Sequence, residues 1–176
     1  MDFRFATSAD INHIATLHAN SWRIAYADAL SAEYLQHHAD QDRLALWTGR
    51  LVSPANNQRV IVLEESGELL GFVCIFLAAD PELGSLIDNL HVVAKCHRRS
   101  LGTTLMKEAS RVISNECAEL PVHLGVVQSN VRAQRFYQKL GGKQKDDYIW
   151  NSPDGGKVPC YLYVWPNAAA ITSIIN

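Results

Sequence analysis

The sequence predicts an α/β fold, a mixed sheet with helices on its faces, and three observations carry that expectation. Apolar patterns run along the chain in the order strand, helices, strand hairpin, strand, helix, strand, helix, strand hairpin. Ser85–Val127 reads as one strand–helix–strand unit, whose two strands should lie parallel with a right-handed crossover. The chain has 176 residues, 48% apolar and 19% charged, enough for one buried core and too apolar for disorder. No repeat or linker divides it, so residues 1–176 are expected to form a single domain with a tail at 166–176.

Each element has a local reason. A short strand at Asp2–Ala6 is followed by Ser8 or Asp10 as a helix N-cap. Ile11, Ile14, Ala15, Leu17 and His18 recur at helical spacing, and Trp22 and Tyr26 extend the stripe. A second helical region covers residues 32–51 with a break near His38–Asp40, and Pro54-Ala-Asn-Asn57 is a turn. Residues 59–64 and 69–78 are β-rich runs joined by Glu65-Ser66-Gly67-Glu68, which predicts a hairpin. Residues 85–93 form the next strand, and helical spacing resumes through Leu101, Leu105, Ala109 and Val112. A strand at 121–127 and a helix at 131–140 follow, the helix stopped by Gly141-Gly142. Two strands, 143–150 and 157–165, flank the turn Ser152-Pro-Asp-Gly-Gly156. The apolar tail Ala168–Ile175 could pack on its own chain or on a partner in a homodimer.

Bulk chemistry narrows the function classes. Net charge is -2 and the pI is near 6.4, unlike a protein that neutralises many phosphates, so nucleic acid is not expected as a partner. The longest apolar run, residues 69–79, is far short of a membrane span. Met1–Phe5 lacks a basic segment leading into an apolar run. Cys74, Cys96, Cys117 and Cys160 show no metal-binding spacing, so no metal is expected, and a reduced cytoplasmic setting suits them.

The chemistry-bearing segments begin where the strand Asn89-Leu90-His91-Val92-Val93 runs into Lys95-Cys96-His97-Arg98-Arg99-Ser100-Leu101-Gly102-Thr103 and a helix. A helix N-terminus presents unpaired N–H groups and the positive end of its dipole, and glycine permits close approach, so phosphate suits it. A plain surface loop with solvated cations would look the same. The segment resembles the coenzyme A motif of the GNAT acyltransferase superfamily: a Leu-x-Val strand, Arg/Gln-x-x-Gly-x-Gly/Ala, then a helix with a leucine. Leu90-His91-Val92, His97 to Gly102, and Leu105 match in spacing. His97 stands where the family has Arg or Gln, and Ser100 where it has glycine; Ser is acceptable there if its backbone is helical.

Downstream, Leu124-Gly-Val126-Val-Gln-Ser-Asn130-Val-Arg-Ala133-Gln-Arg-Phe136-Tyr137-Gln-Lys-Leu140-Gly141 resembles the second GNAT signature almost completely. Read alone, Asn130 is also an ordinary N-cap, and Tyr137 falls on an i, i+3, i+4, i+7 core stripe with Ala133, Phe136 and Leu140. The resemblance implies the GNAT fold, with a mixed sheet of about seven strands and two splayed parallel strands, 90–93 and 124–127, holding acetyl-CoA as co-substrate. By the same resemblance the pyrophosphate rests on Arg98, Arg99, Ser100, Leu101, Gly102 and Thr103. Asn130 then meets the pantetheine arm and Tyr137 points at the sulfur.

Acetyl transfer to an amine needs a neutral nucleophile, a stabilised oxyanion and a leaving thiolate. An alkylamine has a pKa of about 10.4 and a thiol about 8.5, so deprotonating the amine is the harder task. Tyr137 is the candidate acid, and a backbone N–H on the 90–93 strand the candidate oxyanion donor. For the base, Asp88, His91, His123 and a bound water are open, Asp88 being preferred. Regular alternation puts Asp88 and His91 on opposite faces of their strand. Asn20-Ser-Trp22-Arg-Ile-Ala-Tyr26, Tyr34, Trp47 and the terminal Asp154–Trp165 stretch resemble a GNAT subgroup with Ser-Trp-Arg-x-x-Tyr, which makes Trp22 and Tyr26 candidate acceptor-binding residues. The expected activity is N-acetylation of a primary amine on a small molecule or peptide. A non-catalytic acyl-CoA-binding module is the alternative.

Overall fold

The computed structural model describes residues 1–96 and 99–175. Along the chain it has β1 (Asp2–Phe5), α1 (Ile11–Ala25), α2 (Ala32–His37), α3 (Ala39–Val52), β2 (Gln58–Glu65), β3 (Glu68–Asp80) and β4 (Gly84–Val92). There follow α4 (Leu101–Cys117), β5 (Val122–Val127), α5 (Val131–Lys139), β6 (Lys143–Asn151), β7 (Lys157–Trp165) and α6 (Ala168–Ile175). Among the described residues the seven strands form one sheet in the order β1-β2-β3-β4-β5-β7-β6. Every pairing is antiparallel except β4 with β5.

Alternation along the strands sorts the core onto two faces. Ile61 and Leu63 of β2 join Leu105, Met106 and Ile113 of α4 in one cluster. Val60 and Val62 point the other way, onto Ile14 and Leu17 of α1 and Trp47 of α3. Each such fully buried aliphatic chain contributes about 1.5–3 kcal/mol relative to exposure. A third cluster joins Trp22, Leu30, Tyr34 and Leu35 to Val127, Val158 and Cys160. Helix α6 buries Ala168 and Ile171 against the α4 side, so the apolar tail packs on its own chain.

Turn chemistry follows residue type. In the β2–β3 hairpin Ser66 (φ 52°) and Gly67 (φ 79°) both take positive φ, as a two-residue loop matching strand twist requires. Helix α5 ends in a Schellman motif: Gly142 N–H donates to the Tyr137 carbonyl (2.9 Å) and Gly141 N–H to that of Gln138 (3.0 Å), with Gly141 at φ 79°. The Trp165 indole N–H caps the Leu140 carbonyl at 2.7 Å, and a Cβ on Gly142 would lie 2.6 Å from that indole ring. The glycine pair thus seats α5 on β7.

Two features position the site. Strands β4 and β5 pair only at Ser85–Val122 and Leu86–His123, after which they part. Immediately beyond, β4 carries a bulge: Cys74 of β3 faces Asn89 and Ile75 faces Ile87, leaving Asp88 over. This corrects the expectation from alternation. Asp88 and Asn89 both reach Arg50 of α3, and His91 reaches Ser21 of α1, so Asp88 and His91 share the α1–α3 side.

Candidate functional site

The parting of β4 and β5 opens a cleft of about 750 Å³, walled by α1, β4, the start of α4, β5 and α5. Leu90, His91 and Val92 of β4, Ser100 to Thr103 of α4, and Asn130 and Tyr137 of α5 all line it, with Tyr26 and Asp88. These are most of the residues the sequence singled out. His97 and Arg98 lie outside the described residues.

The first turn of α4 aims its amide groups at the cleft mouth, the arrangement that attracts an anion. Ser100, its N-cap, has φ 58° and ψ 16°, a left-handed conformation. The helical backbone expected for a serine there is therefore not adopted, and the position has the geometry that favours glycine. Arg99 also departs from expectation. Its guanidinium makes two 2.9 Å contacts to Glu65, and Lys95 pairs with Glu68, so both basic side chains are held by the β2–β3 hairpin and neither lines the cleft.

Asn130 is an N-cap: its Oδ1 accepts the Ala133 N–H at 3.1 Å. That bond orients the side chain and leaves its amide –NH₂ to donate elsewhere. About two turns on, Tyr137 packs edge-on to Phe136 (5.1 Å) and Trp165 (6.2 Å). Burial raises the pKa of its phenol, so it remains protonated. No residue of α5 is fully buried, because its apolar stripe faces the cleft as well as the core.

At the opposite end, burial likewise raises the phenol pKa of Tyr26, with Tyr137 and Asp88 as neighbours. Trp22 stands behind it, 4% exposed, under the Arg43 guanidinium (4.0 Å), with its ring 5.4 Å from Tyr26 and 5.8 Å from Trp150. Trp22 backs the wall and does not form it. Tyr148 of β6 leans across β7 until its hydroxyl occupies the place a Cβ of Gly125 would take. Burial and the Cys160 thiol push that phenol up to about 12.

Among the base candidates, His91 is neutral. Burial, then the Arg43 charge, holds it down to about 3, and its Nδ1 meets Ser21 Oγ at 2.8 Å. His123 does not line the cleft; its Nδ1–H donates to the Leu83 carbonyl at 2.9 Å. Asp88 lines the cleft with one oxygen 2.7 Å from Arg50 Nη1. Asn20, Ser21, Asp28 and Gly125 also line the cleft and Tyr148 stands against Gly125, and the sequence singles out none of them as a site residue. Asn20 and Ser21 had a signal, standing beside Trp22 in the quoted motif; Gly125 and Tyr148 had none until the strands were placed side by side.

Comparison with known proteins agrees with this geometry. Residues 16–142 match the Acetyltransferase (GNAT) family. Uncharacterized N-acetyltransferases of Mycobacterium bovis and Mycobacterium tuberculosis are each 25% identical over 135 residues, 76% of this chain and 83% of theirs. A GCN5-related N-acetyltransferase structure from Rhodopseudomonas palustris superposes with TM-score 0.73 at 21% identity, covering 93% of each chain. The PaiA N-acetyltransferase of Thermoplasma acidophilum, solved in complex with coenzyme A, gives 0.72 at 20% identity, covering 92% of this chain and 98% of that one. No described helix is long and apolar enough to cross a membrane. With more than two thirds of its length matched, and strands that part beside a helix N-terminus, the chain belongs to the acetyltransferase (GNAT) family and is an acyltransferase.

Proposed function

We propose that the protein holds acetyl-CoA in the cleft and passes the acetyl group to a primary amine, of a small molecule or a peptide, by direct attack within a ternary complex. The cleft itself supports this reading: two parallel strands that part after two paired positions, a helix N-terminus at the mouth, and a protonated tyrosine on the wall. The coenzyme A complex of the PaiA fold relative supports the donor. The pyrophosphate would rest on the turn 98–103, where Ser100 to Thr103 open α4 and Arg99 is engaged with Glu65. The free –NH₂ of Asn130 would donate to the pantetheine arm.

In the reaction the amine nitrogen attacks the thioester carbonyl carbon, an unpaired β4 N–H stabilises the oxyanion, and the C–S bond breaks. A thiolate is less basic than the tyrosinate that Tyr137 would become. Tyr137 therefore serves chiefly by donating a hydrogen bond to the leaving sulfur, with solvent supplying the final proton. Asp88 attracts the ammonium form and relays its proton through water. Tyr26 forms the acceptor wall with Trp22 behind it, in keeping with the Ser-Trp-Arg-x-x-Tyr subgroup.

Thermal unfolding with acetyl-CoA, followed by assay of a panel of polyamines, amino acids, aminoglycosides and peptide N-termini, tests the reading. A raised midpoint and turnover of one class are expected. No shift at millimolar acetyl-CoA would overturn the donor assignment.

A further inference from the structure

We infer that Arg50, in the last turn of α3, is a positioning residue for acyl transfer: it clamps the bulge of β4 at the point where the cleft opens. The inference rests on the reading just given. The bulge begins two residues after the last β4–β5 pair, so it is where β4 turns away from β5. Beyond Leu86 the β4 backbone has no β5 partner, and its groups on that side are available to a carbonyl oxygen. Their direction depends on how the bulge is held.

Asp88 and Asn89 are sequence neighbours that point to one side only because of the bulge. One guanidinium joins them: Arg50 Nη1 lies 2.7 Å from Asp88 Oδ2 and donates to Asn89 Oδ1 at 3.0 Å. A bulge released into regular pairing would turn one of the two away and break that fork. The cation is itself placed. Its guanidinium lies 5.3 Å from both the Trp47 and Phe76 rings, and Gln58 Nε2 donates to the Arg50 carbonyl at 2.8 Å. Its charge also sits at a helix C-terminus, where the dipole favours it. Arg50 thus transmits the position of α3 to the stretch of backbone that meets the reacting carbonyl.

The test is Arg50→Met, which keeps an apolar stem against Trp47 and Phe76, beside Arg50→Lys and Asn89→Ala. Arg50→Met should lower kcat at least about tenfold with the acetyl-CoA KM within roughly threefold, and Arg50→Lys should recover part of the loss. Amide hydrogen exchange in the unliganded protein should quicken at Asn89 and Leu90 but not across Ser85–Ile87. Adding Asn89→Ala to Arg50→Met should cost little more, because the two act as one unit. A folded Arg50→Met with wild-type kcat and unchanged exchange would overturn the inference. If that variant does not fold, Asn89→Ala with wild-type kcat and exchange would do so. A wild-type protein that acetylates no amine would instead sink the proposed function, while the exchange measurement still decides the clamp.

Discussion

The two ends of the cleft are built in different ways. At the end proposed for the donor, the described part of the anion site is backbone: the first turn of α4 and the edge of β4, with Arg99 and Lys95 drawn off by Glu65 and Glu68. At the end proposed for the acceptor it is side chains: Tyr26, Asp88 and Tyr137 line the cleft, with Arg50 holding Asp88 and Tyr148 standing against Gly125. A backbone site tolerates exchange of the side chains around it, because the groups that bind are present in every residue. A side-chain site does not, and it can change acceptor without disturbing the donor.

That contrast can be broken by substitution. The largest effect is expected for Tyr137→Phe, which should lower kcat by roughly ten- to a thousandfold while acetyl-CoA Kd, measured by calorimetry, changes little. A matching loss of coenzyme affinity would place Tyr137 at the donor end instead. Next, Gly125→Ala puts a methyl where the Tyr148 hydroxyl sits, and should raise the acceptor KM roughly tenfold with acetyl-CoA binding intact. An unchanged acceptor KM would mean that Tyr148 has no part in acceptor binding.

A smaller effect follows from the buried histidines beside the acceptor end. His91 is held at about 3, and burial keeps His18 well below its ordinary 6.5. Between about pH 6.5 and 3 the unfolded chain binds protons there that the folded chain does not, so stability should fall as pH drops through that window. Thermal midpoints between pH 8 and pH 4.5 measure it on a scale of about 1.4 kcal/mol per proton per pH unit. His91→Phe should flatten the slope, and an unaltered slope would mean that His91 titrates normally. The smallest effects belong to the donor end. Arg99→Ala should leave acetyl-CoA affinity within about threefold. Ser100→Gly, relieving a left-handed serine, should stabilise the protein by a few tenths to about 1 kcal/mol without loss of binding.

The two ends also differ in how far they could be read in advance. The α4 turn and α5 were legible because their geometry is tied to local spacing. A strand, a turn and a helix N-terminus are consecutive in sequence, and the Asn130 cap and the Gly141-Gly142 stop are local devices. The elements through β7 followed from the same local periodicities, including the break between α2 and α3 and the two-residue Ser66-Gly67 turn. The acceptor end was only half legible. Tyr26 lay in a recognisable motif, but Trp22 beside it proved to be packing, since aromatic residues one helical turn apart can fall on the wall and behind it.

By itself the sequence determined the elements through β7, their order and the mixed sheet, because helix and strand periodicity, caps and turn residues act over a few positions. Only the tertiary structure decided that Asp88 and His91 share a face, that Arg50 joins Asp88 to Asn89, that Tyr148 covers Gly125 and that Arg99 turns away to Glu65. Each of these depends on one extra residue in a strand register, or on contacts between segments tens of residues apart. Periodicity within a segment carries no record of either.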